Sequence, residues 1–164
     1  MSAYITVTTP MIDRDLLLQA LADVGFVEER VVVSEEPLPL VGYQGDTRVQ
    51  VANIILRRQH LSAASNDLGF LSTPTGYRLI VSDYDRPRFG GAWLSSVAER
   101  YRAREAERDA RLRAEELERE RERKRQLVEA QRSAIETKAK KLGYSVKVER
   151  NQEQVRLVLV RRTY

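Results

Sequence analysis

The stretch "RAREAERDARLRAEELERERERKRQLVEAQRSAIETKAKK", Arg102–Lys141, decides the architecture of this chain. From Ala92 to Leu142 there is neither glycine nor proline, so nothing local stops a helix. A helix of that length would run about 75 Å at 1.5 Å per residue, and most of it must project from a small body. Its polar surface predicts acid-first i,i+4 pairs: Glu107 with Arg111, Asp109 with Arg113, Glu115 with Arg119, Glu120 with Lys124 and Glu136 with Lys140. Between Glu99 and Arg125 stand eleven basic and nine acidic side chains, so the run is zwitterionic and lacks the one-signed field that phosphate binding uses.

A weak apolar seam runs through the same segment. Ala103, Ala106, Ala110, Ala114 and Leu117 follow three-four spacing, Arg121 and Lys124 interrupt it, and Val128, Ile135 and Leu142 resume it. Alanine buries little area, so a partner helix would gain only a fraction of what a leucine seam provides, and self-association through the helix is the weaker form of such a contact. If the arm grips a protein partner, Leu112, Leu117, Leu127 and Val128 are its expected contacts.

Outward from the arm, about 120 of the 164 residues remain to build a core, enough for one compact domain. The expectation is a single α+β domain over 1–164, with the charged arm 102–134 inserted within its second helix. "AYITVTT" alternates as a strand that Pro10 ends. "IDRDLLLQALADVGF" spaces Leu17, Leu18, Leu21 and Val24 as a helix, with Asp13 placed to cap its start and Gly25 its end. "EERVVV" predicts a short strand, "SEEPLPL" a proline-punctuated loop, "GYQG" a turn, and "TRVQVANIILRR" a strand. Leu68–Leu71 and Gly76–Ser82 predict a hairpin, "DRPRFGG" a separator, and "YSVKVER" with "QVRLVLVRR" a closing hairpin turning over Asn151 to Glu153. The order β-α-β-β-β-β-α-β-β implies a largely antiparallel sheet with both helices on one face, like two ferredoxin-like halves.

Composition excludes several chemistries. Cysteine is absent, which removes disulfides, thiolate metal sites and thiol catalysis, and His60 is the single histidine, so no zinc-type His pair exists. No apolar run approaches a membrane span and the N-terminus resembles no secretory leader, which sets a cytoplasmic expectation. Net charge is +4, mildly favouring anionic partners.

Few residues suggest chemistry. Asp67, Asp83 and Asp85 end the predicted hairpin and could gather around a hard cation, although aspartate at strand ends is ordinary turn chemistry. "GYQG" is far from a phosphate loop, and His60 has no nucleophile pattern beside it. Arg57, Arg58, Arg161 and Arg162 end two strands that would be neighbours in such a sheet, and with Tyr43 or Tyr77 they would make a basic, aromatic face for RNA. No catalytic residue, cofactor or metal site is assigned, and the chain is not expected to be an enzyme.

The series "T-x3-D-x3-L-x2-A-L-x3-G" from Thr9 to Gly25, then "GYQGDT", "DLGF", "GYRLIVSD", "ERY", "KKLGYSV" and "VRLVLVRR", resembles the conserved hypothetical reading-frame family number thirty-five of cyanobacteria and chloroplasts, a domain of unknown function. Against that pattern, roughly 30 extra residues separate Tyr101 from the "KK" that precedes Gly143. The resemblance implies a small α+β protein without carried-over catalytic residues, and relatives whose genes neighbour AAA-type ATPases. The expected role is an adaptor or scaffold for protein partners, an AAA-type ATPase among them. The alternatives are RNA binding at the basic strand ends and small-ligand sensing between the halves.

Overall fold

The structure is a computed structural model that describes residues 3–151 and 154–161. Its elements run β1 (Tyr4–Thr8), α1 (Arg14–Asp23), β2 (Val31–Val41), β3 (Thr47–Leu56), β4 (Leu68–Thr73), β5 (Gly76–Ser82), α2 (Arg86–Phe89), α3 (Gly91–Lys141), β6 (Tyr144–Asn151) and β7 (Gln154–Arg161). This is an α+β fold whose strand pairs are all antiparallel. Contacts divide the chain into two compact units, Met1–Asp109 and Ala110–Tyr164.

In the first unit, five strands form one sheet in the order β1-β5-β4-β3-β2. One face carries the main core: Leu16, Leu17, Ala20 and Leu21 of α1 pack with Ile54, Leu56, Phe70, Leu79 and Val81 of the sheet and with Val97 and Tyr101 of α3. Alternation sends Leu40, Ala52, Ile55 and Ile80 to a smaller cluster on the other face. Phe26, Phe89 and Trp93 meet edge to face, with Phe26 and Phe89 6.1 and 5.4 Å from Trp93. The short α2 ends in Phe89, which this aromatic cluster buries.

Local rules explain most boundaries. Asp13 Oδ1 accepts from Asp15 N at 2.9 Å and Leu16 N at 3.1 Å, capping α1 as its spacing predicts. At the other end Gly25 takes φ +100° and Phe26 N donates to Leu21 O at 2.9 Å, the bond pattern of a glycine-terminated helix. Two expectations fail. The separator "DRPRFGG" instead contains α2 and begins α3. The "SEEPLPL" segment is strand, the second half of β2. Proline is tolerated there because β2 lies at the edge of the sheet, where one side of the backbone needs no partner.

In the second unit, α3 continues to Lys141 and Gly143, at φ +80°, follows it. Strands β6 and β7 pair as a separate two-stranded sheet. The described strands therefore form two sheets, of five strands and of two. Gln152 and Glu153 of the expected turn lie outside the described residues.

Candidate functional site

Tyr101, Arg104 and Arg108, spaced i, i+3 and i+7, form one stripe of α3 that grips both ends of α1. Tyr101 Oη accepts from Ile12 N at 3.2 Å and Asp13 N at 3.0 Å. Arg104 donates through Nε and Nη2 to the two oxygens of Asp23 at 2.9 and 2.6 Å, a bidentate fork. Arg108 Nη1 donates to Asp13 Oδ2 at 2.7 Å. The hydrogen bond from Leu16 N, aided by Arg108, holds the Asp13 carboxyl below the usual carboxylate range, and Arg104 does the same for Asp23. The first turns of the charged run, read as arm from 102, are thus part of the body.

Beyond this anchor every residue from Ala110 to Gln131 is exposed. Only one of the five predicted acid-first pairs forms, Glu120 with Lys124 at 2.8 Å, which lowers the Glu120 carboxyl. Glu107, Glu115 and Glu136 turn instead toward Arg104, Arg111 and Arg132 on their N-terminal side. Arginine's long stem and five donors let it reach carboxylates in either direction, so on so dense a surface the pairs compete and each contributes little.

The four expected contact residues do not share a stripe. At 100° per residue, Leu117, Val128 and Ile135 fall together, with Leu142 in line just past the end of α3, whereas Leu127 and Leu112 both lie on one side of that line, roughly 80° and 140° from it. The shared stripe is open, with Leu117 49%, Val128 58%, Ile135 45% and Leu142 65% exposed.

The arginines expected at a nucleic-acid face are occupied within the body. Arg57 Nη1 donates to Asp67 Oδ2 at 2.7 Å, and Arg58 Nη1 donates to Tyr43 O at 2.8 Å. Arg161 ends β7, which pairs with β6 in the two-stranded sheet, while Arg57 follows β3 in the five-stranded one, so the two strands are not neighbours. Arg162 lies outside the described residues. Tyr77 is buried, and burial raises its phenol above its ordinary value.

Asp67 and Asp85 are equally committed. Asp67, fully buried, accepts from Val41 N at 3.0 Å, Arg58 N at 2.8 Å and Arg57. Asp85 Oδ2 accepts from Ser82 Oγ at 2.6 Å and from Asn66 N at 3.0 Å. Asn66 Oδ1 in turn accepts from Tyr43 N at 3.1 Å. These bonds pin the connection between β3 and β4 to the "GYQG" turn and to the end of β5. Asp83 is exposed, and no group of metal-binding side chains gathers among the described residues. His60 sits in a 3₁₀ turn, Arg58–His60, its ring 3.3 Å from the Gln59 amide. These polar residues hold a loop, and their pattern is read from the sequence only as turn chemistry.

One concavity of about 450 Å³ lies on the body, between α1 and β2. Leu18, Ala22, Phe26, Val31 and Val33 give it an apolar lining, with Arg14, Asp15, Gln19 and Glu28 around them. Its lining all comes from the single stretch 14–33, in which α1 folds back against the start of β2.

Comparison with protein-family models, curated proteins and solved structures finds no match. Among the described residues no helix is long and apolar enough to cross a membrane.

Proposed function

We propose that this chain is a non-catalytic adaptor, whose body and α3 each contact protein partners. The observation that carries this reading is the open stripe of Leu117, Val128 and Ile135 on α3, continued by Leu142 just past its end, on a helix exposed at every position from Ala110 to Gln131. Water-facing aliphatic side chains along one line of a charged helix are the pattern a partner helix reads, with the flanking charges setting register. The body supports the same reading: its buried aspartates and arginines are consumed in holding loops.

The test is capture of partners by the tagged chain, followed by mass spectrometry, with an AAA-type ATPase as the first candidate to examine directly. Leu117→Gln with Val128→Gln removes two stripe residues and keeps good helix formers in place, so helicity persists while partner capture falls. Retention of every partner by that double variant would remove the adaptor reading's support in α3.

A further inference from the structure

The β2 edge of the five-stranded sheet, one of its two edges, is protected over one half and more open over the other. β2 is hydrogen-bonded to β3 alone among the described strands. In its C-terminal half the register slips between Val33 and Leu38 and again between Pro39 and Val41. Asn53 Nδ2 donates to Ser34 O at 3.3 Å and Glu35 O at 2.8 Å, holding the first irregularity, and Pro37 and Pro39 carry no N–H. Prolines and bulges are the devices that stop an edge from recruiting another strand.

The N-terminal half has neither proline nor bulge, although Val31 N already donates to Glu28 O, so the main-chain groups left for a new strand are those beyond it. Val31, Val32 and Val33 pair in straight register with Leu56, Ile55 and Ile54. Alternation places Val31 and Val33 on the face of Ile54 and Leu56, where α1 packs, and Val33 remains 40% exposed. A strand laid beside them would extend the sheet by main-chain hydrogen bonds. Every second side chain of that strand would enter the groove of about 450 Å³ against Leu18 and Phe26.

Charge narrows the occupant. The open valines lie between two exposed acidic pairs, Glu28 with Glu29 and Glu35 with Glu36. Arg30 offsets one of these four, and Arg14 at the groove is already 3.4 Å from Asp15. The flanks are therefore net negative at both ends, which repels nucleic acid and attracts a strand with basic ends.

We propose that the Val31–Val33 edge binds an extended segment of a partner protein, with alternating aliphatic residues in the α1 groove and lysine or arginine at both ends. The proposal rests on the adaptor reading for its class of partner, and assigns the body its own docking surface.

The experiment measures anisotropy of labelled, end-capped seven-residue peptides against the full chain. One set alternates valine, isoleucine or leucine with threonine between terminal lysines, and the matched set carries terminal glutamates. Lysine-ended peptides are expected to bind saturably and at least tenfold more tightly than their glutamate-ended counterparts. Val33→Lys, an exposed substitution that leaves the core alone, should weaken binding at least tenfold. Glu28→Lys with Glu35→Lys should reverse the preference between the two sets. Absence of saturable binding by every lysine-ended peptide, or binding indifferent to Val33→Lys, overturns the proposal. So does a wild-type dimer by light scattering that Val33→Lys dissociates, since a second copy would then be the occupant. The adaptor reading is judged on the α3 double variant and this proposal on the edge variants, so either can fail alone.

Discussion

Arg108 Nη1 lies 2.7 Å from Asp13 Oδ2 across 95 residues of chain, while the other oxygen of the same carboxylate caps α1. One side chain thus starts a helix and anchors α3 immediately before the stretch that is exposed at every position.

Asp13→Ala removes the cap and the anchor together, and is expected to lower stability by about 1 kcal/mol, roughly 4–8 °C in Tm for a body of this size. Asp13→Asn keeps a capping oxygen and should change Tm by a small fraction of that. Equal loss in both variants, measured by thermal melts, would mean the ion pair rather than the cap dominates.

The pH dependence has a definite sign. The folded Asp13 and Asp23 carboxyls lie below their ordinary values, so their contributions are complete above the unfolded value of about 3.9 and disappear as pH falls through the lower folded values. Wild-type Tm should therefore fall more steeply below about pH 4 than that of Asp13→Ala with Asp23→Ala. Parallel acid limbs in the two melting curves would show that these carboxylates do not drive the acid loss.

At alkaline pH the same bookkeeping runs the other way. Burial, then the charge of Asp67, pushes the Tyr4 phenol far above its usual value, and burial raises Tyr77. Both rings favour the neutral form in the fold, so their contribution is present below about pH 10 and lost as pH rises through the raised values. Ultraviolet titration should show Tyr4 and Tyr77 ionising late, together with unfolding. Native ionisation of all seven tyrosines near pH 10 would contradict the burial described here.

Asp67→Ala leaves Arg57 and two backbone N–H groups without their acceptor inside the body. The expected loss is about 3 kcal/mol, with urea unfolding shifted to a correspondingly lower midpoint. A loss below about 1 kcal/mol would show that water satisfies these donors without the carboxylate.

Gly76 takes φ +122°, and a Cβ there would lie 2.7 Å from Met11 O, whose carbonyl accepts from Tyr77 N at 2.7 Å. Gly76→Ala is expected to cost about 1–3 kcal/mol through backbone strain and that clash. A neutral result in chemical denaturation would require the β4–β5 turn to adopt another conformation.

Much of the fold was legible because it depends on neighbours in sequence. Alternation placed β1, β3 and β5, and three-four spacing with Asp13 and Gly25 bounded α1. The edge location of β2 was not legible, because whether Pro37 and Pro39 interrupt a strand depends on which side of the backbone lacks a partner. The arginines misled for a related reason: Arg57 and Arg58 look like free basic strand ends until Asp67 and Tyr43 arrive from distant segments. Likewise the groove beside Val31 and Val33 exists only once α1 lies over the edge of the sheet.

The sequence by itself determined the long helix from Ala92 onward, since helix formation needs only local hydrogen bonds and the absence of a breaker. It also determined the α+β class and the glycine-bounded ends of α1 and α3. Tertiary structure alone decided where the anchored part of α3 ends, at Arg108 on Asp13, and which acids and bases pair. It also decided which edge of the sheet stays open. Those outcomes depend on contacts between residues tens of positions apart, and a charged side chain with several partners in reach carries no local signal of the one it takes.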